Sequence, residues 1–148
     1  MINAITNRTC VAIVMALVMA GACTNGGHTG VADTEKNKAA ATGLFNAFNR
    51  HDWKTMAGYY REPASFLDPS FGKGYVTRSR QQTVDKYAEL AKQLPGIKDS
   101  IVSIFGWGNK VTVEFVSVDS GFTLPICTVL TFNDGLVTND ATYYDNSK

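Results

Sequence analysis

Two turn signals divide the last third of the chain into alternating runs, and that pattern limits the fold more than any other feature. Over 110–118, Val111, Val113 and Phe115 fall on one face of a strand, with Thr112 and Glu114 on the other. Asp119-Ser120-Gly121 then marks a turn. Phe122, Leu124, Ile126, Leu130 and Phe132 share one face of the next strand, in which Pro125 predicts an edge or a bulge. Asn133-Asp134-Gly135 is a hairpin signal, and 136–145 reads as the closing strand. A further long strand over 100–107 precedes these, ending at a turn over 106–109. Such an antiparallel meander has an apolar face that something else in the chain must cover.

The preceding segment supplies the cover. Ala41, Leu44, Phe45 and Phe48 recur at helical spacing, predicting a helix from a cap at Asp33 or Thr34 to about residue 50. Asp52 reads as the cap of a second, shorter helix carrying Trp53, Met56, Tyr59 and Tyr60, with His51 at the junction. Glu62-Pro63 breaks that helix, and 64–67 reads as a short strand. Ser79 and Gln82 form a capping-box pattern for a third helix. Val84, Tyr87, Ala88, Ala91 and Leu94 make its apolar face, and Leu94-Pro95-Gly96 ends it. Helices gathered on one face of an antiparallel sheet make an α+β domain.

Composition narrows the function. The chain has 148 residues, with 14 Lys and Arg against 13 Asp and Glu, so there is no basic field for nucleic acid. Aromatic residues at 11% and charged residues at 18% favour a packed core with room for an apolar cavity. Cys10, Cys23 and Cys127 have neither zinc nor CxxC spacing, and no metal or cofactor is expected.

The first 22 residues read as an export signal. Arg8 precedes an apolar run over 11–20 that is too short for a transmembrane helix. Ala20-Gly21-Ala22-Cys23 resembles the bacterial lipobox, with Ala20 where that motif usually has Leu. The resemblance implies lipidation of Cys23, a palmitate-bearing lipoprotein and a membrane-lipid partner in the cell envelope. An ordinary secretory signal cut near Ala22 is the alternative, leaving a secreted or periplasmic domain. Residues 23–32, glycine-rich and holding His28, read as a flexible tether, and 33–148 as the domain.

One stretch carries a candidate for chemistry. In Ser65-Phe66-Leu67-Asp68-Pro69-Ser70-Phe71-Gly72 a carboxylate sits in an apolar setting, and Pro69 pushes Asp68 towards extended backbone. Asp-Pro is good turn chemistry in its own right; the sharper reading is a general base at a pocket mouth.

Element order and four segments resemble the nuclear transport factor 2-like superfamily, in its SnoaL-like and ketosteroid isomerase-like branches. The segments are Phe45-Asn46-Ala47-Phe48-Asn49-Arg50-His51-Asp52-Trp53, Ala64-Ser65-Phe66-Leu67-Asp68-Pro69, Phe132-Asn133-Asp134-Gly135-Leu136-Val137 and Thr142-Tyr143-Tyr144-Asp145. The resemblance implies a cone-shaped curved antiparallel sheet wrapped around the N-terminal helices, a SnoaL-like α+β barrel with a pocket at its open end. It also implies a homodimer through the sheet's outer face. Asp68 falls on the isomerases' proton-moving aspartate. Their helix tyrosine falls on Leu44, which cannot donate, and their late-strand acid falls near Cys127–Thr128, where neither residue is a carboxylic acid.

These departures favour a non-catalytic pocket for a small apolar molecule or a protein partner. An isomerase, cyclase or hydratase working from Asp68, with Tyr60 or Tyr143 as donor, is the alternative. Leu44, Tyr60, Trp107 and Tyr143 are the candidate pocket residues. Glu114, Asp140 and Asp145 are expected on the solvated outer face.

Overall fold

The computed structural model describes residues 28–145. The signal segment, Cys10 and the lipidation candidate Cys23 lie outside them.

Helix α1 (His28–Asn49) leads into α2 (Trp53–Gly58) and strand β1 (Tyr60–Leu67). A 3₁₀ turn (Pro69–Phe71) and the short β2 (Val76–Arg78) precede α3 (Arg80–Gln93). The meander follows as β3 (Lys98–Trp107), β4 (Lys110–Asp119), β5 (Phe122–Asn133) and β6 (Leu136–Tyr143). All six strands form one sheet in the order β2-β1-β6-β5-β4-β3. Every pairing is antiparallel except β1 against β6, which is parallel.

The capping expectations hold where the signal is local. Asp52 accepts from Thr55 at the start of α2, and Ser79 with Gln82 forms the reciprocal capping box of α3. Asp134 and Gly135 both have positive φ (52° and 75°), the geometry a tight two-residue hairpin requires. Several boundaries differ, among them the end of α2 at Gly58, so that Tyr60 opens β1 instead of lying on that helix. Helix α1 already begins at His28, so Asp33 and Thr34 lie within it rather than capping it, and 28–32 are helical rather than tether. Glu62-Pro63 lies inside β1, at the irregular part of its pairing with β6, not at a helix end. Pro125 pairs with Val116 of β4, beyond the point where β6 begins to pair at Cys127, so that stretch of β5 is locally an edge. Cys127 is free and half-buried.

Ala41, Leu44, Phe45, Ala47 and Phe48 form the buried stripe of α1. Phe45 meets Phe115 of β4 edge-on at 4.7 Å between ring centroids. Phe48 meets Trp53 and Tyr87 in the same manner, tying α1 to α2 and α3. Phe132, Met56, Leu130, Val111, Val113 and Val137 are the large side chains fully excluded from water, each worth about 1.5–3 kcal/mol of burial.

Two β-bulges shape the sheet. In β3, Ile101 pairs with Phe115 but Ser103 pairs with Glu114, leaving Val102 as an inserted residue. In β6, Val137 pairs with Phe132 but Asn139 pairs with Thr131, leaving Thr138 inserted. Each extra residue reverses which side chains face inward from that point on.

Candidate ligand pocket

The concave side of the sheet and the helices enclose a cavity of about 440 Å³. Its walls are mostly apolar, including Leu44, Phe48, Leu90, Phe115, Ile126 and Leu130. Polar groups gather at three places on this wall.

The first is Asp68. Its extended backbone (φ −148°, ψ 127°) caps the 3₁₀ turn, and one carboxylate oxygen accepts from the Ser70 amide at 2.8 Å. Tyr144 donates its hydroxyl to that oxygen at 3.0 Å, and Lys86 of α3 donates to the other at 2.7 Å. Burial alone would raise the carboxyl's pKa, but the Lys86 charge and the hydrogen bonds from Lys86 and Ser70 outweigh it and hold Asp68 below the ordinary carboxylate value. Lys86 is depressed by its own burial, against the pull of Asp68. Its ammonium lies 3.8 Å from the centre of the Phe71 ring, a cation–π contact that helps fix it.

The second is Asp140, buried in β6. Tyr60 donates to one oxygen at 2.7 Å, and Thr128 and Thr142 donate to the other at 2.6 and 2.9 Å. Burial raises its pKa against these three hydroxyls. Burial also raises Tyr60 well above the usual phenol value, helped by the Asp140 charge.

The third is Asp99 at the start of β3, only 9% exposed. The Ser117 hydroxyl donates to one of its oxygens. Its backbone is held by Asn49: the Asn49 side-chain amide donates to the Asp99 carbonyl at 2.8 Å, and the Asp99 amide donates to the Asn49 side-chain oxygen at 2.7 Å. His51, in the left-handed conformation (φ 56°), binds the Ile97 carbonyl at 3.0 Å and stacks on Trp53. The helix-junction motif therefore fixes the entry to β3.

Asp68, Leu44 and Tyr60 line the cavity, as the sequence suggests. Trp107 and Tyr143 do not: they are 81% and 53% exposed. The bulges are the reason. Inward-facing Asp99 and Ile101 are followed, after Val102, by Ile104 and Gly106, which turns Phe105 and Trp107 outward. Val137 is followed, after Thr138, by Asp140 and Thr142, which turns Tyr143 outward. The same shift corrects the expectation for Asp140, which lies inside rather than on the solvated face. Asp145 is exposed but borders the cavity, while Glu114 is outward as expected, accepting from Ser103. No sequence signal marks Asp99, which lies one residue before the strand expected over 100–107. Among the described residues, no three His, Cys, Asp or Glu side chains come together as a metal-binding group.

A family model described as the SnoaL-like domain matches residues 41–139, which span both the helical stripe and the sheet. The chain belongs to the SnoaL-like domain family. A comparison with curated proteins finds no match. Three solved structures share the fold of this SnoaL-like domain, each at 19% identity. A candidate ketosteroid isomerase of Kribbella flavida has a TM-score of 0.66, over 78% of this chain and 82% of that one. An LEH-like epoxide hydrolase of M. tuberculosis has a TM-score of 0.63, over 76% and 85%. IdmH of Streptomyces antibioticus, described as a candidate polyketide cyclase, has a TM-score of 0.65, over 74% and 92%. Thr128 of β5 donates to Asp140 of the neighbouring strand β6.

Proposed function

We propose that this SnoaL-like domain binds a small, largely apolar molecule in its cavity without using Asp68 as a base. One observation carries the reading: both oxygens of Asp68 are already engaged, by Lys86, Ser70 and Tyr144. A carboxylate so held has its affinity for a proton lowered, which makes it a poorer base. The apolar walls supply most of the affinity, as in small-molecule pockets generally.

Leu90 faces the cavity from α3 and is half-buried, so Leu90→Trp fills space without opening the core. The neutral dye Nile red and a series of fatty alcohols serve as probes. Saturable binding that Leu90→Trp abolishes, at an unchanged melting temperature, is the expected result. Absent binding in the parent, or binding indifferent to Leu90→Trp, sinks the proposal.

A second reading, a small-molecule isomerase, cyclase or hydratase working from Asp68, is favoured by the place of Asp68 on the cavity wall. It requires turnover of a carbonyl substrate that Asp68→Asn removes.

The proposal extends to location and assembly. Lipidated Cys23 holds the domain at a membrane of the cell envelope; a fatty-acid analogue should label the parent but not Cys23→Ser. Val102, Phe105, Trp107 and Tyr143 are exposed large apolar groups, which supports pairing of two copies through the outer sheet face. Native mass spectrometry decides this.

A further inference from the structure

Asp99 differs from part-buried Asp68 and buried Asp140, the carboxylates at the cavity's other two polar places. Asp68 has a lysine, and Asp140 has three hydroxyl donors. The side chain of Asp99 has one donor, Ser117, and no cation forms an ion pair with it among the described residues. Its neighbour Lys98 is exposed, on the opposite side of the strand. Lys86, which lines the same cavity, is held by Asp68. A largely buried carboxylate on the cavity wall, with one oxygen unbonded by the protein and no counter-charge, offers a place for a partner from outside the chain.

The surroundings define that partner. Leu94, Ile97, Phe115 and Phe122 lie on the same cavity wall as Asp99. Ser117 pairs across β4 and β5 with Leu124, which precedes the Thr128 of the Asp140 cluster by four residues. At strand spacing that is roughly 13 Å. The Asp99 place is therefore separate from the Asp140 place, with the apolar Ile126 on the strand between them.

We propose that Asp99 anchors the ammonium group of an amphipathic amine whose apolar body fills the rest of the cavity. This rests on the pocket reading above and specifies its ligand class. A primary or secondary ammonium supplies both the missing charge and a donor to the free oxygen. A neutral hydroxyl supplies only the donor. Asn49 makes the anchor rigid, because it fixes the Asp99 backbone at two points before any ligand arrives. Burial, which pushes the Asp99 carboxyl up to about 6, leaves it charged at neutral pH.

Decylamine and decanol, equal in chain length, separate charge from apolar fit. Calorimetry at neutral pH should show the amine binding at least about tenfold more tightly than the alcohol. Asp99→Asn should erase that preference and keep alcohol binding, whereas Ser117→Ala should keep the preference. In the parent protein, titrating decylamine should move the Asp99 side-chain carboxyl carbon resonance, a readout that needs no variant. Equal affinities in the parent, an unmoved Asp99 resonance, or a preference that survives Asp99→Asn overturns the amine assignment and leaves the pocket standing. If neither compound binds, the pocket reading falls with it.

Discussion

Asn49 and Asp99 are joined by two hydrogen bonds between the side chain of one and the backbone of the other, 50 positions along the chain. The end of α1 thus acts as a template for the second residue of β3, whose amide N–H and carbonyl are both satisfied by the Asn49 side chain. His51 repeats the arrangement two residues on, at Ile97.

Asn49→Ala should cost about 1–3 kcal/mol, because it removes two partly buried bonds and leaves backbone groups without partners. Asn49→Asp should recover only part of this, since a carboxylate can accept from the Asp99 amide but cannot donate to its carbonyl. Urea denaturation of the three proteins checks the order.

Asp99 should give stability a distinct pH dependence. Burial raises its pKa from 3.8 to about 6, with the Ser117 hydrogen bond opposing the rise. A raised acid contributes stability that is fully present below its unfolded value and lost as pH rises through its folded one. Between about pH 4 and 6 the fold should therefore give up at most about 3 kcal/mol from this group. Asp99→Asn removes the titration, so its melting temperature should rise relative to the parent as pH goes from 4 to 7. A difference that stays flat with pH contradicts the assignment.

The ion pair at Asp68 predicts the opposite sign. Its depressed pKa contributes stability above the unfolded value, lost as pH falls through the folded one. The stability advantage of the parent over Asp68→Asn should shrink in acid. In Lys86→Met the burial that raises Asp68 is opposed only by its remaining hydrogen bonds, from Ser70 and Tyr144, and carbon-detected carboxyl titration should find the Asp68 pKa higher than in the parent.

Phe132 and Trp107 should respond very differently to truncation. Phe132→Ala opens a cavity in the closed core and should cost about 3–5 kcal/mol. Trp107→Ala, at a site 81% exposed, should stay within about 0.5 kcal/mol for the isolated domain. Thermal unfolding at low protein concentration makes the comparison free of any self-association.

Much of this fold was legible because its signals are local. The Ser79–Gln82 box, the Asp134-Gly135 hairpin and the stripe from Ala41 to Phe48 each depend on residues within one or two turns of each other. The Asp68 turn and the cavity-facing Leu44 and Tyr60 were legible for a related reason, since element order carries them to the same wall. The Lys86 partner of Asp68 was not, because nothing in the sequence relates a lysine on α3 to a turn 18 residues earlier. Asp140 and Trp107 were misplaced by strict alternation, which has no marker for an inserted residue: Val102 and Thr138 are ordinary strand formers.

The sheet keeps its inside and outside by counting. Downstream of Thr138, the residues presented to the cavity are Asp140, Thr142 and Tyr144; the same residues paired without the bulge, with Thr138 taking its turn in the ladder, would present Asn139, Ala141 and Tyr143 instead. The acid would be traded for an amide, and the hydroxyl for a methyl, with no side chain substituted. Whether Thr138 bulges out or pairs is thus a coarse dial on this pocket's polarity.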